Sequence, residues 1–144
     1  SITFICTYNN LSITSMDKLL EKILKLRKQY SKTYQRVWFD VPLLRQPAWQ
    51  QINMLPESYQ AIHEDNIKYM QANSGEENGL HIFKDFEIQK MQRNLAYWKE
   101  NADASTQNKR NFYAFFNEHD RRRQTNLLNT FPEMEDFYVE CKNA

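Results

Sequence analysis

The chain has 144 residues, is 41% hydrophobic and 26% charged, and can therefore close around a core as one ordinary domain rather than stay a disordered polymer. Nineteen basic residues against eighteen acidic ones give a formal charge of +1, which argues against nucleic acid as a partner, and two glycines exclude a glycine-rich phosphate loop. Cys6 and Cys141 supply neither a disulfide framework nor a four-ligand zinc site, and no apolar run approaches a membrane span, so the expectation is a soluble, cytoplasmic chain with no membrane partner.

Residues 1–7 hold Ile2, Phe4, Ile5 and Cys6, a short β-prone run that predicts a strand buried on both faces, with Cys6 in the core. The chain opens inside this strand and so reads as a trimmed piece. Tyr8-Asn9-Asn10 ends it in a polar loop. Thr14, with Asp17 three residues on, predicts a capped helix carrying Leu19, Leu20, Ile23, Leu24 and Tyr30. Residues 36–44 predict a second strand, with Val37, Phe39 and Val41 on one side and Trp38 and Asp40 on the other; Pro42 is expected to stop its ladder. Residues 51–55 are expected to form a third, short strand. A helix from Pro56 to about Asn73 follows, carrying Tyr59, Ile62, Ile67 and Met70. Residues 74–78 (SGEEN) are the clearest break. Two longer helices are expected at 84–101 (Ile88, Met91, Leu95, Trp98) and 105–122 (Phe112, Phe115, Phe116, His119). Thr130-Phe131-Pro132-Glu133 predicts a capping box opening a last helix with Met134, Phe137, Tyr138 and Cys141. The fold class is α+β and predominantly helical: a short parallel β/α segment over 1–73, then a helical tail over 80–144 packed on it as one folded unit.

Asn and Gln supply 25 residues, so the mean hydropathy of −0.81 reflects an amide-rich surface more than a charged one. Several clusters have both a chemical and an ordinary reading. His119-Asp120 offers a proton carrier beside an acid, and Arg121, Arg122 and Arg123 offer phosphate grips; equally, they end a solvated helix where cations meet the negative pole of the dipole. His63-Glu64-Asp65 lacks a second histidine one turn on, since residue 67 is Ile67, and fits a charged surface helix better than a metal site. His81 stands alone at a helix entry. Phe112, Tyr113, Phe115 and Phe116 could stack on bases, but rings at helical spacing usually build cores. Cys141 is expected as a buried thiol.

Tyr8, Asn9, Asn10, Ser12, Asp40 and Asn53 are more informative. They fall at or near the C-terminal ends of the three predicted strands, the edge at which parallel α/β sheets and barrels bind ligands. Amides and hydroxyls there suit ribose, carboxylate or amine groups. The same residue types also form turns for purely local reasons.

The strings TYNNLSITS (7–15) and DRRRQTNLLNTFPEMEDFY (120–138), with Asp40-Val41-Pro42 and INMLP (52–56), resemble the C-terminal portion of phage and bacterial twitch domain-containing radical SAM proteins. The resemblance runs through most of the chain. It implies a partial (β/α) barrel in which a 4Fe-4S cluster, held by a CxxxCxxC motif, cleaves S-adenosylmethionine reductively to a carbon radical. That motif is missing here, so the chain itself is expected to carry no cofactor and no activity; the intact parent would be the enzyme. By resemblance, Tyr8, Asn9 and Asn10 would approach the amino-acid or ribose part of the cofactor, and Asp40, Ile52 and Asn53 the adenosine. The glycine-containing pattern often found on the family's fifth strand has no counterpart in 36–44. A severed barrel would bare strand edges, which predicts a homodimer through exposed strands, while the missing N-terminal half would be the partner in the parent. Two other functions compete: a helical module binding RNA or protein through residues 119–124, and a small hydrolase using His119 and Asp120, which lacks a nucleophile.

Overall fold

Two short parallel strands and the helix that joins them open the fold. The computed structural model describes residues 1–75, 79–103 and 105–144; residues 76–78 of the predicted break lie outside that set. β1 (Ile2–Ile5) and β2 (Val37–Asp40) pair in parallel, with Ile2 beside Val37 and Ile5 beside Asp40. Between them runs α1 (Met16–Tyr30). Its stripe of Met16, Leu20, Ile23 and Leu24 is buried, and full burial of each such side chain stabilises by about 1.5–3 kcal/mol. After β2 come α2 (Gln60–Ala72), α3 (Asp85–Glu100), α4 (Thr106–Arg123), α5 (Leu127–Thr130) and α6 (Glu135–Lys142). The chain is thus predominantly helical α+β, a parallel β/α segment followed by helices.

The core is continuous across both portions. It joins Val37, Phe39 and Val41 of the strand region to Met91 and Trp98 of α3 and to Phe112, Met134 and Phe137 farther on. Aromatic rings carry the contact between α4 and α6: Phe112 lies 5.1 Å from Phe137 and Tyr113 5.2 Å from Tyr138 between centroids. Phe112 and Phe116 are buried as ring spacing predicts, whereas Phe115 stays 47% exposed beside Trp49. Among the described residues no helix is long and apolar enough to cross a membrane.

Several expectations are corrected. β1 is not buried on both faces: Ile2 and Ile5 are 53% and 69% exposed, and Cys6 is only half-buried. The reason is that α1 covers one face alone and, among the described residues, no third strand lies beside β1. Pro42 does not end the pairing. It lacks only the N–H; its carbonyl accepts from the Tyr8 N–H at 2.7 Å, and Leu44 N–H donates to Tyr8 O at 2.9 Å, so the ladder runs on to a Tyr8–Leu43 bridge. The third strand is absent. Residues 48–50 and 52–54 form 3-10 turns between Pro47 and Pro56, and these bury Ile52, Asn53 and Met54 together, which an alternating strand would not.

Both predicted capping boxes dissolve into one long-range contact. A 3-10 turn, Ile13–Ser15, precedes α1, and the Thr14 hydroxyl donates to Glu133 Oε1 at 2.6 Å instead of capping its own helix. The predicted last helix accordingly opens as a 3-10 turn over 132–134 that runs into α6, and α5, which the sequence reading did not place, precedes it. α4 begins close to where the sequence places it, and Ser105 caps it, with Oγ accepting from the Asn108 N–H at 3.2 Å.

His63 is the largest surprise on α2. It is fully buried rather than on a charged surface, because its stripe is His63, Asn66, Ile67 and Met70. Arg27 completes the buried stripe of α1 in the same way. Its guanidinium donates to both Glu87 carboxylate oxygens, at 2.9 and 2.7 Å, to Val37 O at 3.0 Å and to Ile82 O at 2.8 Å. Glu87 also accepts the Lys84 N–H at 2.8 Å and so caps α3.

Candidate functional site

The C-terminal ends of β1 and β2 bring some of the expected residues together and separate others. Asn9 forms a tight turn of its own: Oδ1 accepts from the Leu11 N–H at 2.9 Å, Nδ2 donates to Thr7 O at 3.0 Å, and its carbonyl accepts from the Ser12 N–H at 3.0 Å. This turn places Asn9 and Ser12 on the rim of an open cleft of about 410 Å³. Cys6, Ser15 and Gln50 add polar atoms to it, and Leu11, Met16, Leu19 and Phe131 supply apolar walls. The cleft holds no charged side chain. Burial pushes the Cys6 thiol above its ordinary range, so it stays protonated at neutral pH. Such a site can hold a neutral polar group by hydrogen bonds but offers no general acid or base.

Tyr8 and Asn10 of the same loop face inward. The Tyr8 hydroxyl lies 2.7 Å from His63 Nδ1, and His63 Nε2 lies 2.8 Å from Met91 O. A carbonyl only accepts, so Nε2 carries the proton, Nδ1 is the acceptor, and Tyr8 donates. Burial pushes the Tyr8 hydroxyl up, with Cys6 nearby adding to it. Burial likewise lowers the His63 pKa below 6.5, against the weaker pull of the Met91 carbonyl and Glu64. The ring is therefore neutral, and the pair anchors the loop after β1 to α2 and α3. Asn10 is wholly buried: its Nδ2 donates to Trp49 O at 3.0 Å and its N–H to Gln50 O at 3.1 Å, while its Oδ1 has no partner.

Asp40 and Asn53 stand apart from that cleft. Asp40 is exposed, accepts the Val41 N–H at 2.9 Å, and sits 3.9 Å from Lys90 in a cleft of about 160 Å³ shared with Phe86 and Arg93. Asn53 borders a third cleft of about 240 Å³, where Nδ2 donates to Asn101 O at 2.5 Å and Oδ1 is buried without a partner. The six residues thus line three clefts and the interior rather than one cavity.

The basic region near 119–124 is tied up locally. Glu118 accepts Arg121 at 2.8 and 2.7 Å and Arg122 at 2.6 Å, and those two guanidinium groups hold its carboxyl down to about 2. Asp120 accepts the Thr125 hydroxyl at 2.7 Å and the Leu127 N–H at 2.9 Å, which turns the chain from α4 into α5. His119 Nδ1 is 3.6 Å from Asp120 Oδ1, and its ring stacks on Phe115. Among the described residues, no three His, Cys, Asp or Glu side chains cluster so as to hold a metal. Cys141 is buried, and its thiol is pushed up to about 12 by that burial, with Glu140 adding to it.

Two polar pairs were missed by sequence reasoning, Arg27–Glu87 and Tyr8–His63. A signal existed for the first pair. Arg27 continues the apolar stripe Leu20, Ile23, Leu24, and Glu87 begins the stripe Met91, Asn94, Trp98. A charged residue in phase with a buried stripe is a candidate for a buried partner. Compared with known protein families, curated proteins and solved structures, the chain matches none.

Proposed function

We propose that this chain is a catalytically incomplete C-terminal part of a radical SAM-like protein, serving to complete a cofactor and substrate pocket in a larger α/β enclosure. One observation carries the reading. The sheet is parallel and packed by α1 on one face, yet its other face, formed by Thr3, Ile5, Trp38 and Asp40, is largely open, with Phe86 stacked on Trp38 at 6.4 Å at one side. Parallel sheets are ordinarily covered on both faces, so further strands and helices would supply the other cover. The cleft of Asn9 and Ser12 then lies at the C-terminal edge where α/β enclosures take ligands, and its own amides and hydroxyls suit the ribose hydroxyls of S-adenosylmethionine. Two cysteines cannot hold the cluster, because three thiolates leave the fourth iron open for the cofactor. The cluster and the radical chemistry would come from the missing N-terminal half, and the protein would work in the reducing cytoplasm of a bacterial or phage-infected cell. A stand-alone RNA- or protein-binding role for residues 119–124 has less support, since Arg121 and Arg122 already engage Glu118.

The test has two parts. The DNA upstream of the codon for Ser1 is read for an in-frame CxxxCxxC, and S-adenosylmethionine is titrated calorimetrically into this chain and into the extended polypeptide. Binding that needs the extended form and weakens on Asn9→Ala supports the reading. Upstream sequence without the motif overturns it.

A further inference from the structure

The two outer edges of the sheet are treated differently. On β2, Arg27 Nε donates to Val37 O at 3.0 Å and Asn94 Nδ2 to Val41 O at 3.0 Å, while Gln35 and Asp40 side chains accept the Val37 and Val41 N–H groups at 3.3 and 2.9 Å. That edge is closed at both ends by side chains. On β1, Ile2, Cys6 and Tyr8 donate to β2, so the alternate residues Thr3 and Ile5 turn their main-chain groups outward. No described residue bonds to them. Edges of this kind are ordinarily blunted by charge, proline, a bulge or a covering element, and among the described residues β1 has none of these.

We infer that β1 is an interaction surface for a second copy of this chain, paired antiparallel about a two-fold axis at Phe4. Two features select this occupant. Residues 1–7 carry no charged side chain, so a copy laid against itself meets no like-charge repulsion between side chains. The register centred on Phe4 sets Thr3 opposite Ile5 of the other copy, and such a pair exchanges both main-chain hydrogen bonds. The symmetry-related pair does the same, so every outward donor and acceptor of β1 is satisfied at once. Ile5, the most exposed large apolar side chain, gains a neighbour on the open face, and half-buried Phe4 meets Phe4 of the second copy on the packed face. The inference stands on edge geometry alone and does not need the radical SAM reading.

The register makes the test specific. Light scattering on the purified chain should give twice 17.4 kDa at raised concentration. Thr3→Pro removes only an outward N–H and should return the monomer with an unchanged far-ultraviolet spectrum; Ile5→Lys should do the same by charge. In this register residue 2 lies opposite Cys6 of the second copy, in a non-hydrogen-bonded pair with Cα atoms about 4.5 Å apart, within disulfide reach. Ile2→Cys should therefore form a covalent dimer with a mild oxidant, and Thr3→Cys should not. A monomer at every concentration overturns the inference. So does a dimer that Thr3→Pro leaves intact and Ile2→Cys fails to cross-link. Neither result bears on the upstream cysteine motif, which is judged separately.

Discussion

Among the described residues arginine meets glutamate in two places, and the surroundings make these different objects. Arg27 and Glu87 are sealed, with side chains 0% and 1% exposed, and join α1, β2, the segment before α3, and α3 itself. Arg121 and Arg122 meet Glu118 within one helix, at side-chain exposures of 68%, 71% and 44%. Distances are nearly equal, so length does not separate them. Water does. At the surface, solvent screens the attraction and replaces any lost partner; in the interior a lost partner leaves a bare charge.

The sharpest way to test that contrast is to remove one buried partner. Glu87→Gln should destabilise by about 3–5 kcal/mol, because Arg27 keeps its charge and loses its carboxylate. A urea titration reads this directly. The double substitution Arg27→Met, Glu87→Met should recover much of the loss, since apolar replacement of a whole buried pair is often near neutral. A single substitution with no effect would put Arg27 in contact with water and erase the distinction.

The neutral buried pair should fall next in size. Tyr8→Phe leaves His63 Nδ1 without its donor and should destabilise by about 1–3 kcal/mol. Its pH signature is distinct. The folded state holds His63 neutral below the 6.5 at which the unfolded ring titrates, so below that pH the unfolded chain takes up a proton that the folded chain refuses. Stability from this group is thus complete above pH 6.5 and declines as pH falls, by at most about 1.4 kcal/mol per pH unit. Denaturation curves at stepped pH should show that slope, and His63→Gln should flatten it.

Smaller still is Thr14→Ala, which removes the link to Glu133 near the surface; about 0.5–1 kcal/mol is expected, seen as a slight fall in the urea midpoint. Smallest is Glu118→Gln, which should leave the thermal midpoint unchanged within error at physiological salt. A clear drop there would mean that the exposed cluster, like the buried one, organises the fold.

What the sequence announced was what periodicity encodes. Leu20, Ile23 and Leu24 of α1, Ile88, Met91 and Trp98 of α3, Phe112 and Phe116 of α4 and the strand positions of Val37 and Phe39 follow from spacing alone, whereas Tyr30 and Phe115, expected on the same stripes, are 52% and 47% exposed at the stripe edges. Other features depend on contacts far apart in the chain. Nothing within eight residues of His63 announces Tyr8, and nothing near Thr14 announces Glu133, 119 positions away. The QINML run misled because alternation with proline nearby fits a strand as well as a 3-10 turn; only packing against α3 decides. Of the site, the turn at Asn9 was readable from residue type. The inward aim of Tyr8 and Asn10 was not, because it depends on where α2 and the 3-10 turns come to rest.

Arg27 also governs how the molecule comes apart. It grips groups from both the early and the late stretches of the chain. A half-dissolved state, with α3 gone and α1 still docked, would strand a cation in hydrocarbon. Such intermediates are therefore too high in free energy to accumulate, and melting should proceed as a single cooperative event, with fluorescence and circular dichroism tracing the same curve.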